Sequence, residues 1–189
     1  MNNTENPIAA QSKQWIMQSL VSLMETKPFQ EITISEISEN AQLVRRTFYR
    51  NFDSKEDVLQ AYFNTLVQKF ISELSKLSVL TTDTALRVLF GLCKRYESFF
   101  LSLKRSNMLG FMLEQWNYVL PKLHALMLDR IKNFPQTSSE QALEYILAFN
   151  VGGTFNIVIK WIDEGMALSP DELADIVSEF SSGSLIKKD

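Results

Sequence analysis

Residues 45–55 carry the side chains best suited to chemistry with a polyanion. The segment contains three arginines and one lysine but a single aspartate, so its net charge is +3, while the charges of the rest of the chain sum to −6. Guanidinium groups can pair with guanine edges, and hydroxyls and amides can bind phosphate. Most of these residues fall on a predicted helix. Its exposed face consists of Arg45, Arg46, Thr47, Tyr49, Arg50 and Asn51. We therefore expect it to enter the major groove of DNA, whereas the same charges in another context would indicate only a solvated helix face.

Two short helices joined by a tight turn must position that face. Thr33 and Glu36 form a predicted capping box that begins the first helix, which runs to about Asn40. The second helix runs from about Val44 to Phe52, and the next one opens at Ser54 with a similar box. Apolar residues of both short helices can face a shared core, and these are Ile37, Ala41, Leu43, Phe48 and Phe52.

The whole chain reads as an all-α protein of about nine helices. Hydrophobic residues make up 46% of its 189 residues and recur at helical spacing, while glycine and proline are scarce, which is typical of a globular helical fold. A helix is predicted from Pro7 to Lys27, before the two short ones. After the helix that starts at Ser54, further helices are predicted at about 84–103, 108–116, 119–134, from after 140 to about 166, and 170–181.

Several classes of function do not fit the composition. One cysteine and one histidine can build neither a disulfide framework nor a Cys- or His-rich zinc site. Phosphate-binding glycine loops, a His-Glu-x-x-His motif and a nucleophile elbow are not found, so we expect neither an enzyme nor a cofactor. Polar residues and glycines interrupt the apolar stretch 146–162, and the N-terminus does not resemble a signal peptide. We therefore expect a cytoplasmic protein without a membrane span.

Residues 32–59 resemble the TetR family of transcriptional regulators. The resemblance rests on Ile32-Thr33-Ile34-Ser35-Glu36-Ile37, on Ala41, and on the run from Thr47-Phe48-Tyr49-Arg50 to Asp57-Val58-Leu59. It implies a three-helix helix-turn-helix domain at 1–53 and a helical ligand-binding and dimerisation domain at 54–189. It also implies a repressor that a small-molecule effector releases from a palindromic operator. The alternative is a helical dimerising adaptor whose helix-turn-helix contacts protein instead.

The turn departs from the family pattern at three positions. The family usually has glycine where this chain has Gln42, serine as the N-cap where it has Val44, and often a small residue where it has Arg46. Valine has no side-chain oxygen for capping, at a typical loss of about 1 kcal/mol. These departures concern how the second helix meets DNA.

The resemblance and the helical geometry together suggest roles for the DNA-binding residues. Thr47, Tyr49 and Lys55 are expected to hold phosphate, with Lys55 at the amide end of the following helix. Arg45, Arg46 and Arg50 are expected to reach base edges, and Asn51 completes the DNA-binding set.

Apolar side chains nearly encircle the helix predicted around residues 146–162, so it must be covered on more than one face. A second subunit is the simplest cover, and the central helix of a monomer is the alternative. TetR-like proteins pair through their last two long helices, so the resemblance favours a homodimer. The residues expected at its interface are Phe155, Val158, Trp161, Leu173, Ile176 and Val177.

Aromatic residues and methionines crowd the middle of the chain between positions 90 and 118. Such a stripe is usually core, but in TetR-like proteins the same region encloses an effector pocket. Few charged residues interrupt it, which favours an apolar effector. The residues expected to line the pocket are Phe90, Phe99, Met112 and Trp116.

Overall fold

The computed structural model describes residues 7–127 and 140–181, and within them every regular element is a helix. The all-α prediction is confirmed. The helices, numbered in chain order, are α1 Pro7–Met24, α2 Ile34–Asn40, α3 Arg45–Asn51, α4 Lys55–Lys76, α5 Thr82–Arg95, α6 Glu97–Arg105, α7 Leu109–Met127, α8 Glu140–Asp163 and α9 Pro170–Ser181. A single 3-10 turn, Phe29–Glu31, lies between α1 and α2.

Two helix boundaries in the middle of the chain differ from the prediction. The helix expected over 84–103 is divided at Tyr96, whose φ of −109° and ψ of 30° interrupt α5 and begin α6. Conversely, α7 runs unbroken through residues 117 and 118, where the sequence predicts a break. The helix predicted over 119–134 extends into 128–134, which lies outside the described residues. No glycine or proline marks the division at Tyr96, so periodicity alone could not find it.

The short helix α2 is fixed at both ends by local hydrogen bonds. Thr33 accepts from the Glu36 amide, and the Glu36 carboxylate accepts from the Thr33 amide at 2.8 Å, so the predicted capping box is confirmed. At the other end the Leu43 amide donates to Ser38 O at 2.8 Å and the Gln42 amide to Glu39 O at 2.9 Å. This pair of bonds is a Schellman motif. Together the two motifs fix where the chain turns toward α3.

The long helix α4 connects the N-terminal helices to the rest of the interior. Its buried residues run along one face from Val58 to Leu74. Near its start this face meets Ile16 and Leu20 of α1 and Phe48 of α3, all fully buried in the same core. Since one core continues from α1 to α9, α3 is anchored on the body of the molecule.

Charged side chains join α5 to α9. The Arg87 guanidinium contacts Asp83 at 3.0 Å in its own helix, and Asp171 at 3.0 Å and Asp175 in α9. Ser178 donates to the other oxygen of Asp83 at 2.9 Å. The guanidinium is the main reason that the pKa of Asp83 is lowered. These contacts hold α9 in one register against α5.

Helix α8 has more apolar surface than the described residues of its chain cover. The segment Glu144–Asp163 is long and apolar enough to cross a bilayer by length and composition, but one such helix is weak evidence for a membrane span. Only 24% of its most apolar window is buried. It packs on α7 and touches α6. The exposed remainder includes Tyr145 at 71% and Phe149 at 74% exposure.

Candidate nucleic-acid interface

Helix α3 lies with its basic residues in solvent. Phe48 is fully buried and Phe52 nearly so, as the sequence predicts for core residues. Arg45, Arg46 and Arg50 are exposed, and Tyr49 has half of its surface in solvent. The helix therefore presents three guanidinium groups and a phenol on one surface and is held by its aromatic side on the other.

Few contacts within α3 involve the guanidinium groups of its three arginines. Arg45 Nη2 lies 3.4 Å from the Tyr49 hydroxyl, which is long for a hydrogen bond. Thr47 and Asn51 are half-buried, and Asn51 Nδ2 donates to Thr47 O at 2.7 Å. The Asn51 amide therefore already has a partner within the helix, whereas the three arginines point outward with their donors.

The turn before α3 has a backbone conformation that favours glycine, although the residue there is Gln42. Its φ of +57° lies in the left-handed region, which residues with a Cβ rarely adopt. Val44 is the N-cap of α3 and forms no side-chain cap bond, so the predicted loss of capping is confirmed. Neither departure prevents the helix from forming.

Lys55 has a different set of partners from the one predicted. Its ammonium donates to three carbonyls, Phe29 O at 2.8 Å, Ile32 O at 2.9 Å and Gln30 O at 3.0 Å. It also lies 4.7 Å from the centroid of the Phe29 ring. An ammonium has three N–H donors, and all three are used here. A phosphate contact by Lys55 would require one of these bonds to be given up, and its phosphate role stays a prediction.

The C-terminal end of α6 binds the same turn from the other side. The Phe29 amide donates to Ser106 Oγ at 3.0 Å, and Gln30 Nε2 donates to Ser106 O at 2.7 Å. Arg105 Nη2 donates to Met24 O at 3.2 Å and to Glu25 O at 2.9 Å, at the end of α1. We name this set of contacts the α6 junction. The sequence does not predict it, because the partners are far apart along the chain.

Family models match both halves of this arrangement. The model for "Bacterial regulatory proteins, tetR family" matches residues 16–62, which span the second half of α1 through the first part of α4. The model for "Transcriptional regulator C-terminal region" matches residues 81–183. The chain belongs to the TetR family of transcriptional regulators. Residues 16–62 thus match a TetR-type helix-turn-helix DNA-binding domain, which contains α3.

Solved structures share the fold of this TetR-family chain. "Dihydroxyacetone kinase operon activator DhaS" is 19% identical with a TM-score of 0.62, and the match covers 92% of this chain and 95% of that one. The fatty acid degradation regulator FadR from Bacillus halodurans is 16% identical with a TM-score of 0.64, covering 98% of this chain and 100% of that one. No curated protein sequence matches the chain. At these identities the similarity shows the fold alone.

The four predicted effector residues of this TetR-family chain lie in the interior of the C-terminal bundle. Phe90, Phe99 and Met112 are buried and Trp116 is half-buried. They do not form one cluster of mutual ring contacts. The closest aromatic neighbours have ring centroids 5.9 Å apart for Phe90–Trp161, 4.9 Å for Phe99–Tyr62, 5.8 Å for Trp116–Phe70 and 6.5 Å for Trp116–Phe63.

Two polar groups border this aromatic interior. Burial raises the pKa of Tyr62 to about 12, so its hydroxyl keeps its proton at neutral pH. Gln115 is 7% exposed and accepts a hydrogen bond from Gln60 Nε2 at 2.5 Å. An apolar ligand that entered here would displace ring contacts and could meet uncharged hydrogen-bonding groups.

The predicted interface residues divide into two groups. Val158, Trp161 and Leu173 are buried in their own chain, and Trp161 Nε1 donates to Leu168 O at 3.0 Å. They have almost no surface left for a second subunit, so we assign them to the support of α8 and α9. Ile176 is half exposed, and Phe155 and Val177 are half-buried against the core. The exposed Tyr145 and Phe149 of α8 were not predicted, because the apolar positions nearly encircle that helix and periodicity does not single out one side.

An open groove of about 570 Å³ lies outside all of the predicted sites. It runs between α1 and the end of α2, next to the turn that leads into α3. It is lined by Trp15, Gln18, Ser19, Ser22, Asn40, Ala41 and Gln42.

Proposed function

We propose that this regulator is a homodimeric repressor that inserts α3 of each subunit into the major groove of a pseudo-palindromic operator. The single observation that carries the proposal is the exposed basic face of α3 on a helix-turn-helix anchored to the core. Arg45, Arg46 and Arg50 contact base edges, and Tyr49 and Thr47 contact phosphate. Two-fold symmetry of the protein requires two inverted half-sites, about one helical turn or a multiple of it apart.

Duplex binding by the purified protein tests this proposal. A random duplex library is enriched with the wild-type protein, and the selected sequence is then compared with random DNA at several salt concentrations. Arg46→Ala or Arg50→Ala should lower affinity for the selected duplex by roughly 1–3 kcal/mol and relax the preference at one base pair. Lys76→Ala, at an exposed lysine at the far end of α4, is the matched control. Unchanged affinity in folded arginine variants would contradict the assignment.

The exposed aromatic side of α8 supports the dimer. Tyr145 and Phe149 are one helical turn apart and both are more than two-thirds exposed, which is unusual for large aromatic side chains unless a partner covers them. We place the interface along this side of α8, with Phe155 and the exposed Ile176 of α9 at its margin.

Sedimentation at micromolar concentration tests the dimer. The wild type should sediment as a dimer, and Phe149→Arg should give monomers or insoluble protein, because a buried unpaired charge is costly. The control Val79→Arg alters an apolar residue that is 44% exposed outside α8 and α9. A monomeric wild type, or equal effects of the two variants, would count against this interface.

The aromatic interior supports an apolar effector. Phe90, Phe99, Met112 and Trp116 lie on α5, α6 and α7, and α6 also contacts the DNA-binding domain through the α6 junction. A ligand that separates these helices would therefore alter the position of α3. DNA and effector must then weaken each other's binding by the same factor.

A thermal-shift screen of uncharged aromatic and aliphatic compounds tests the effector site. A compound that raises the melting temperature should also displace the selected duplex. Trp116→Phe should reduce that shift, whereas Trp15→Phe, at an exposed position on α1, should not. A screen without any stabilising compound would favour a filled core and regulation by other means.

The same proposal divides the chain into a DNA-binding domain at 1–53 and a ligand-binding and dimerisation domain at 54–189. It assigns no catalytic chemistry and places the protein in the cytoplasm, where its DNA is. The alternative, an adaptor that uses its helix-turn-helix for protein contacts, would bind duplex DNA without a steep inverse dependence on salt, or not at all.

A further inference from the structure

Val44, the N-cap residue of the recognition helix α3, is an apolar residue with a highly exposed side chain. Its side chain is 70% exposed, and its φ of −78° and ψ of 146° place it in extended backbone directly before α3. A single exposed valine on a protein surface is ordinary. Its position is not, because it stands beside Arg45 and Arg46 at the end of α3 that leads the helix toward DNA.

The N-cap residues of three other helices have hydroxyl side chains. Thr33, Ser54 and Thr81 cap α2, α4 and α5, and each accepts a hydrogen bond from the amide three residues later. Val44 forms no such bond, so α3 gives up the stabilisation that a hydroxyl would supply. The fold therefore gains nothing from valine here, and the side chain does not pack into the core either. What remains is an exposed apolar group at the N-terminal end of α3.

We propose that Val44 reads the C5 methyl group of a thymine in the major groove. In a helix-turn-helix, residues at the beginning of the recognition helix contact base edges. The thymine methyl is the apolar group that bases present in that groove, and small apolar side chains are its usual partners. Arg45 and Arg46, which contact base edges under the proposed function, bring the adjacent valine close to the bases. This inference rests on the proposed function, since it requires α3 to enter the groove.

Replacing thymine by deoxyuridine isolates the contact, because the two bases differ only in that methyl group. Each thymine of the selected duplex is replaced in turn, at the equivalent place in both half-sites, and affinity is measured for the wild type. One position should lose roughly fourfold per half-site, the fold-change that corresponds to about 0.8 kcal/mol for one buried methyl group. Other replacements should have smaller effects.

Val44→Ser provides the matching protein variant. Its hydroxyl can cap α3, so the variant should fold at least as well as the wild type, and any loss of affinity cannot come from unfolding. It should bind the thymine and deoxyuridine duplexes equally at the sensitive position. Val79→Ser, at another exposed valine far from α3, should keep the wild-type difference.

The outcomes separate this inference from the function on which it rests. If the wild type binds the selected duplex but is indifferent to deoxyuridine everywhere, Val44 does not read a methyl group although α3 binds DNA. If Val44→Ser keeps the sensitivity, another residue makes the contact and the assignment is overturned. If no duplex is bound, the proposed function fails first and this inference fails with it.

Discussion

The recognition region around α2 and α3 and the bundle formed by α5, α8 and α9 are stabilised in different ways. Helices α2 and α3 have seven residues each, too few to be stable alone. Local hydrogen bonds fix both ends of α2, whereas α3 has no side-chain cap and is held by its buried Phe48. In the bundle the helices are longer and bury large apolar side chains such as Trp161 and Phe90, beside the ion pairs of Arg87. The comparison teaches that the first region depends more on a few directed bonds, whereas the second adds a larger packed volume.

The largest effect is expected where packed volume is removed. Trp161 is 1% exposed, its ring contacts Phe90, and its indole N–H has a backbone acceptor. Trp161→Ala should lower the free energy of unfolding by about 3–5 kcal/mol, measured by urea denaturation. Trp15→Ala, at a tryptophan that is 43% exposed on α1, should cost much less. Equal losses in the two variants would show that burial does not distinguish the regions.

A smaller effect is expected from the directed bonds of Lys55. Lys55→Met keeps the length of the side chain and removes three hydrogen bonds to the turn between α1 and α2. The free energy of unfolding should fall by about 2–3 kcal/mol, since bonds from charged donors are among the stronger ones. The control is Lys76→Met, at an exposed lysine of the same helix. Wild-type stability combined with weakened DNA binding would instead restore the phosphate role predicted for Lys55.

A stabilising change is expected at the turn. Gln42 has a φ of +57°, which costs a residue with a Cβ and not glycine. Gln42→Gly should therefore raise the free energy of unfolding by about 1 kcal/mol. Gln18→Gly, in the interior of α1, should lower it by about the same amount because glycine weakens a helix. A loss in both variants would mean that the Gln42 side chain supplies an interaction in the groove that outweighs its backbone strain.

The smallest effect is expected from the capping box of α2. A hydrogen bond from Lys27, then bonds from the Thr33 amide and hydroxyl, lower the pKa of Glu36 to about 2 from its ordinary 4.5. A lowered folded-state pKa stabilises the protein above the unfolded pKa, and this contribution is lost as pH falls from about 4.5 toward 2. Glu36→Gln should make the denaturation midpoint less sensitive to pH in that window. Glu39→Gln, on the exposed side of α2, should leave the sensitivity unchanged.

Sequence patterns predict the recognition region more sharply than the bundle. The capping box at Thr33, the buried Phe48 and the uncapped Val44 all follow from local residue types, and the structure confirms them. The division at Tyr96 does not, because no glycine or proline marks it. The burial of Trp161 within its own chain depends on helices far apart in the sequence, so the sequence could not show it.

The candidate site was predictable in part. The exposed arginines of α3 follow from helical periodicity beside a buried aromatic face, but the three carbonyl partners of Lys55 belong to a turn about 25 residues away. Long side chains choose such partners only once the backbone is in place. The roles of these residues toward DNA stay predictions.

The α6 junction has a consequence for protein engineering. Its bonds join residues 76 to 81 positions apart, so the turn that leads into the DNA-reading helices is completed by residues far outside the first 53. A chimera that transplants only residues 1–53 onto another regulator would leave the Phe29 amide without Ser106 and the end of α1 without Arg105. Grafts that carry α4 and α6 together with residues 1–53 should keep the orientation of α3, whereas grafts of residues 1–53 alone should lose it.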